Sequence, residues 1–275
     1  MTRLRNITLA AACALTAAAI ATSPAAADGD AGTNTVTAPV IEDDGGDWMP
    51  PADDQEQADA AAAKQALDAD PLTAEQIEAA AKDTADKDRR IALEPQPGLP
   101  AAYYLASNHV AQAYNNYCGP ATAKMTLGHQ GYNLTQASLA SRFGISPGNG
   151  GTSWDAMLRT LKAYTSGNYA GNFLAYSPSA RDKEEYKAHL KIDIARNKDS
   201  IAGNVLEPKG SRIRLAGHPI NQTIYHWVNI RGYKNSGADS QVQDPATSVW
   251  PGVRANSPVP SNNLVIMMGG RGYQW

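Results

Sequence analysis

Gln112-Ala113-Tyr114-Asn115-Asn116-Tyr117-Cys118-Gly119-Pro120 is the stretch on which the reading of this 275-residue chain turns. Cys118-Gly119-Pro120 opens Ala121–Gly128, a run of small residues that suits a helix. Proline is welcome in a first helical turn, where its missing N–H would have no intrahelical partner. A thiol at that position feels the positive end of the helix dipole, which favours the thiolate, the nucleophilic form. Gln112, six residues earlier, carries a side-chain amide able to donate to a developing oxyanion beside the backbone N–H of Cys118, the donor pair that acyl transfer needs. The plain alternative for Cys118 is a buried structural thiol. A helix entrance flanked by Gly-Pro argues against it.

The chain has one other cysteine, Cys13. Arg3 and Arg5 precede an apolar stretch from Ile7 to Ala21, and Ser23-Pro24-Ala25-Ala26-Ala27 follows with the small residues of a cleavage site. Residues 1–27 therefore read as a secretory signal peptide cleaved after Ala27, which takes Cys13 with it. Retention of Cys13 as a lipid-anchored first residue is the lesser alternative, since the apolar region before it is very short. No later segment approaches the ~18 continuous apolar residues of a membrane span. The mature protein is expected to be secreted, with no stable membrane span. A single thiol in such a chain has no intramolecular disulfide partner and reads as reactive.

The remainder divides by composition. Residues 28–100 hold 18 Asp or Glu against 5 Lys or Arg, a net −13, with Trp48 the only aromatic, so the segment is expected to be an acidic, Ala-rich flexible or pro-region. Within it Gln55–Leu67 and Ala74–Arg90 are possible helices, the second opening at Thr73 with Gln76 three residues on as in a capping box. Such helices would be marginal alone. Residues 101–275 carry 17 basic and 9 acidic residues, a net +8, and 18 of the 19 aromatics. This is the globular domain. The opposite charges make docking of the acidic segment onto it physically reasonable, as an intramolecular pro-region that damps activity until removed.

A base for Cys118 must come from five histidines. His226 sits in Thr223–Tyr233, which reads as a strand bounded by Gly232. Ser240-Gln241-Val242-Gln243-Asp244-Pro245 reads as the adjoining strand, reached by the polar turn 234–239, so hairpin pairing brings the Asp244 carboxylate beside the imidazole. A carboxylate on one ring nitrogen fixes the tautomer and turns the other nitrogen toward the thiol. His218, in Leu215-Ala216-Gly217-His218-Pro219-Ile220, reads as a turn or strand-end residue. His109, His129 and His189 lack carboxylate or cysteine neighbours at ligand spacing, so no metal is expected. No phosphate loop or dinucleotide fingerprint is present, so no cofactor is expected. The domain's positive charge is modest and dispersed, which speaks against nucleic acid as a partner.

Gln112 with Cys118-Gly119-Pro120, then His226-Trp227-Val228 with Gly232-Tyr233, then Asp244-Pro245, together resemble the bacteriocin-processing, double-glycine-leader type of cysteine peptidase in the papain-like superfamily. The resemblance spans about residues 103–255. It implies an α+β, papain-like fold in which an N-terminal helical part carrying the Cys packs on an antiparallel β-sheet carrying the His and Asp. It also implies the roles: Gln112 in the oxyanion hole, Cys118 as nucleophile, His226 as base and then acid, Asp244 orienting His226. Asn116-Tyr117 stands where an acidic residue before the Cys is frequent in that type. The expected substrate is therefore a peptide or protein other than a double-glycine leader. The same triad would serve a transglutaminase-like acyl transferase, and an idle binding module could keep the fold; an unreactive thiol would mark the latter.

Elsewhere, Gly150–Asp155 reads as a helix start with Thr152 as cap and Asp155 three residues on, followed by an apolar face of Met157, Leu158, Leu161 and Tyr164. Residues 181–210 are strongly polar and read as surface helix and loop. Gly269–Trp275 says nothing about chemistry.

Overall fold

The computed structural model describes residues 50–94 and 98–275. The expected signal peptide and the first part of the acidic segment lie outside the described residues.

Two helices come first, α1 (Asp54–Leu67) and α2 (Ala74–Ala92). Each opens on a capping box, Asp53 with Glu56 and Thr73 with Gln76, the second as the sequence indicates. Reciprocal caps satisfy the orphan N–H groups of a first turn, at about 1 kcal/mol per cap. A two-residue strand β1 (Tyr103–Tyr104) leads to α3 (Cys118–His129), α4 (Gln136–Phe143) and α5 (Trp154–Tyr164). Then follow β2 (Gly171–Asn172), α6 (Ala180–Lys191), β3 (Ile201–Glu207), β4 (Ile224–Lys234) and β5 (Asp239–Gln243). The chain closes through β6 (Asn256–Pro260), α7 (Ser261–Met268) and β7 (Gly272–Gln274).

The strands make one sheet in the order β2-β7-β3-β4-β5-β6, with β1 added to β4, and every pairing is antiparallel. One apolar cluster joins α3, α4 and α5 to Trp227 and Ala202; the other joins α6 and α7 to the opposite face of β3 and β4 and to β5, β6 and β7. Helices preceding an antiparallel sheet make this the expected α+β, papain-like fold.

Several local expectations change. β3 is buried along its whole length, although residues 181–210 read as surface helix and loop. A strand covered on both sides shows no alternation, and Gly203 and Asn204 disguise it further. At Gly203 an added Cβ would lie 2.9 Å from Ile230 Cδ1, so a side chain there would have to displace its neighbours. The α5 cap is Ser153, which accepts from Ala156 N, one residue later than expected. β4 runs past Gly232 to Lys234 across a register shift at Ile230/Gly232, and the terminal residues form β7 beside β3.

The acidic segment shows the largest difference from a spacer. Ala60 joins a core cluster and Leu72 packs against the other. Buried Lys64 donates to Ile266 O, to Met267 O at 2.8 Å and to Gly269 O at 3.3 Å, a cation on the C-terminal carbonyls of α7. Lys87 pairs with Asp193 at 3.0 and 3.2 Å and lies 4.2 Å over the Trp275 ring. Thr84 donates to Gly171 O at 2.9 Å. Within the described residues, α1 and α2 are therefore seated on the domain: alanines permit close approach, and a few buried polar groups line the seat.

Candidate active site

Cys118 is the first residue of α3, and α3 is zipped to β4 along one face. Thr122 Oγ1 donates to Trp227 O at 2.9 Å, and Asn229 Nδ2 donates to Thr126 Oγ1 at 3.0 Å. Residues 118, 122 and 126 are four apart and so share that face. Gly119 permits the seating: a Cβ there would lie 2.1 Å from Thr152 Oγ1. Thr152 O in turn accepts from Trp227 Nε1 at 3.0 Å.

β5 ends at Gln243, paired with Asn229, and the chain then turns away at Asp244-Pro245. This leaves the start of β4 open on that side, where the helix end brings the thiol. The Cys118 thiol shares one cleft with His226 and Trp227, and His226 and the backbone of Trp227 and Gly119 act on its ionisation. His226 Nε2 lies 2.9 Å from Asp244 Oδ1, so Nδ1 is the nitrogen left for the sulfur. Asp244 Oδ1 also accepts from Ala246 N at 2.8 Å. The structure thus brings Cys118, His226 and Asp244 together in the order thiol, imidazole, carboxylate.

The charges of the three follow from this arrangement. Desolvation pushes the Cys118 thiol up, but the hydrogen bond and charge of His226, with the backbone groups, outweigh it and hold the pKa below the ordinary thiol value. Burial pushes His226 down, and the Asp244 carboxylate and the sulfur raise it well above an ordinary imidazole. Burial likewise disfavours the Asp244 anion, yet His226 and His218 hold it far below the carboxylate range. Both shifts act toward a thiolate–imidazolium pair.

Gln112 stands apart from this geometry. Its backbone N–H donates to Pro245 O at 2.8 Å, which ties the 112–117 turn to the Asp244 corner. Its Nε2, however, donates to Tyr114 O and Asn115 O, both at 2.9 Å, and its buried Oε1 has no partner among the described residues. Both amide hydrogens are engaged inside the turn. The expected oxyanion donor therefore has no amide hydrogen to spare in this state.

Two side chains that the sequence left in the background belong to the site. His218 Nδ1 lies 2.7 Å from Glu207 Oε2, and its Nε2 lies 3.0 Å from Asp244 Oδ2, off the N–H axis. Glu207 closes β3, so reading β3 as a strand would have exposed a buried carboxylate at its end. His218, His226 and Asp244 are the one group of metal-type donors gathered within 4.8 Å among the described residues.

The thiol opens on a cleft of about 340 Å³ lined by Ser153, Asn204, Tyr225 and Arg271 and by Ala69 and Asp70 of the α1–α2 connector. Arg271 donates to Asp70 O at 2.7 Å and pairs with the Asp68 carboxylate, and Tyr225 OH donates to Leu67 O at 2.6 Å. Among the described residues no helix is long and apolar enough to cross a membrane.

Residues 104–262 match the model of the Peptidase_C39 like family. No curated protein matches the chain. Among solved structures, the chain is similar to the peptidase domain of Streptococcus ComA, a bi-functional ABC transporter involved in quorum sensing, at TM-score 0.37 and 15% identity, covering 60% of this chain and 93% of that one. It is similar to a double glycine motif protease from an AMS/PCAT transporter, solved with its leader peptide, at TM-score 0.38 and 14% identity, covering 65% and 96%. It is also similar to xylellain, a cysteine protease from Xylella fastidiosa, at TM-score 0.37 and 10% identity, covering 64% and 85%. The family model covers more than half of the chain, so the protein belongs to the Peptidase_C39-like family and is a cysteine peptidase of papain-like fold.

Proposed function

We propose that this protein is an exported peptidase that hydrolyses peptide bonds in extracellular peptides or proteins through a Cys118 thioester. The observation that carries the reading is the Cys118–His226–Asp244 array at a helix entrance, open to a cleft. The thiolate attacks the scissile carbonyl carbon, and the carbonyl oxygen becomes an oxyanion. His226 gives the Nδ1 proton to the leaving amine, and the C–N bond breaks to leave a thioester. His226 then takes a proton from water, hydroxide attacks the thioester, and the thiolate returns with release of the acid. The backbone N–H of Cys118 is the first oxyanion donor. Gln112 Nε2 is the second, on release from Asn115 O. Export follows from residues 1–27 read as a signal peptide.

The peptidase reading is tested by Cys118→Ala in the full chain. Turnover of a peptide library and labelling by a thiol-directed active-site probe should both vanish; full labelling of the mutant, or undiminished hydrolysis, contradicts the assignment.

We also propose that residues 54–92 act as an intramolecular pro-segment. The acidic connector borders the nucleophile's cleft and is tied down there by Arg271 and Tyr225, which supports occlusion as well as docking.

A further inference from the structure

We propose that His218 is a positioning residue of the catalytic array, a second imidazole that holds the Asp244 carboxylate in place and anionic for His226. The proposal rests on the cysteine-peptidase reading above. Each oxygen of Asp244 has its own imidazole: Oδ1 lies 2.9 Å from His226 Nε2 and Oδ2 lies 3.0 Å from His218 Nε2. The two rings stand edge to face, 5.2 Å between centroids, and Trp250 covers His218 at 4.7 Å. Glu207 anchors the far nitrogen of His218 at 2.7 Å while its other oxygen accepts from Leu215 N at 2.7 Å. The side chains of His218 and Glu207 are fully buried. Carboxylate, imidazole, carboxylate, imidazole and thiol thus run in one continuous line from the end of β3 to the start of α3.

The loop between β3 and β4 is built to deliver this ring. Arg214 clamps it, Nε to Ser211 O at 2.9 Å and Nη2 to Pro208 O at 2.7 Å. Gly217, at φ +80°, lets the loop pass so close that a Cβ there would lie 2.0 Å from Gly252 O.

The groups that act on His218 are Glu207 from β3, His226 from β4 and Asp244 beyond β5; Arg214 from its own loop and Lys64 from α1 act on Glu207. Burial pushes the His218 pKa down, and the two carboxylates outweigh it and hold it above its ordinary value. Two buried carboxylates without a cation between them would repel, and one would take up a proton. An imidazolium at His218, the form its raised pKa favours, prevents this. It also leaves Asp244 Oδ1 free to serve His226.

The test is the pH dependence of kcat/KM and of Cys118 alkylation by iodoacetamide, measured on the full chain, on His218→Gln and on Glu207→Gln. His218→Gln removes the imidazole's charge beside the array, so the Cys118 thiolate takes up a proton at higher pH. The acid limb of both profiles should move up by roughly one pH unit or more, with kcat falling and KM little changed. Glu207→Gln should move the acid limb the same way by a smaller amount, and carries the test should His218→Gln not fold. Acid limbs that superimpose on the wild type, whatever the loss in Tm, overturn the proposal. A wild-type thiol that ionises only at the ordinary value would sink the peptidase reading instead; a low-pH thiolate that both variants retain sinks this inference alone.

Discussion

At the residue scale, the proposed mechanism turns on whether His226 keeps its proton until the leaving amine needs it. Asp244 supplies that hold, because its anion raises the His226 pKa against the burial that lowers it. Asp244→Asn removes the anion, so the imidazolium is lost at lower pH and the alkaline limb of the activity profile moves toward acid. We expect kcat to fall roughly 10²–10⁴-fold; an unchanged alkaline limb in the measured kcat/KM profile would count against Asp244 as the orienting group. Gln112 makes a separate demand. An oxyanion donor is worth about 10²–10³ in kcat, so Gln112→Ala should lose that much with KM nearly constant. A loss confined to Tm would assign Gln112 to holding the 112–117 turn, the work its hydrogen bonds show.

At the element scale, the site depends on one helix end meeting the open side of one strand. Much of this was legible. Cys118-Gly119-Pro120 reads as a helix entrance because proline and glycine limit what else can follow. Thr223–Tyr233 and Ser240–Pro245 read as a hairpin because β-branched and aromatic residues flank a polar turn. What stayed hidden depends on distant contacts. β3 lacks alternation because it is buried on both sides, so neither it nor Glu207 at its end could be seen, and His218 looked like a turn residue without the carboxylate that gives it a place. Composition also misleads about α1 and α2. Net charge describes the segment's average, whereas its docking rests on Lys64, Thr84 and Lys87. Lys87→Met leaves Asp193 buried and unpaired, for which we expect a loss of about 3–5 kcal/mol in denaturant unfolding. A loss below 1 kcal/mol would mean that the α2 seat is held by packing alone.

At the scale of the whole molecule, an acidic arm of net −13 accompanies a domain of net +8, and its connector lies beside the nucleophile. The buried Asp68–Arg271 pair and the Arg271 bond to Asp70 O are the points at which occlusion would be released. Asp68→Ala removes the hydrogen bonds from Arg271, Tyr176 OH and Asp70 N; the charge-assisted one from Arg271 alone is worth about 1.5–3 kcal/mol, so the open state should gain tenfold or more in population. The steady-state rate on a long peptide should rise accordingly. Equal rates for the wild type and the variant would show that the connector borders the cleft without closing it.

The central claim is that Cys118 is a thiolate nucleophile paired with His226, and the rate of Cys118 alkylation by iodoacetamide against pH tests it most directly. The pair predicts reactivity that persists far below the ordinary thiol pKa of about 8.5, falling on the acid side only when the pair is protonated. A single ionisation step at or above the ordinary thiol value would contradict it.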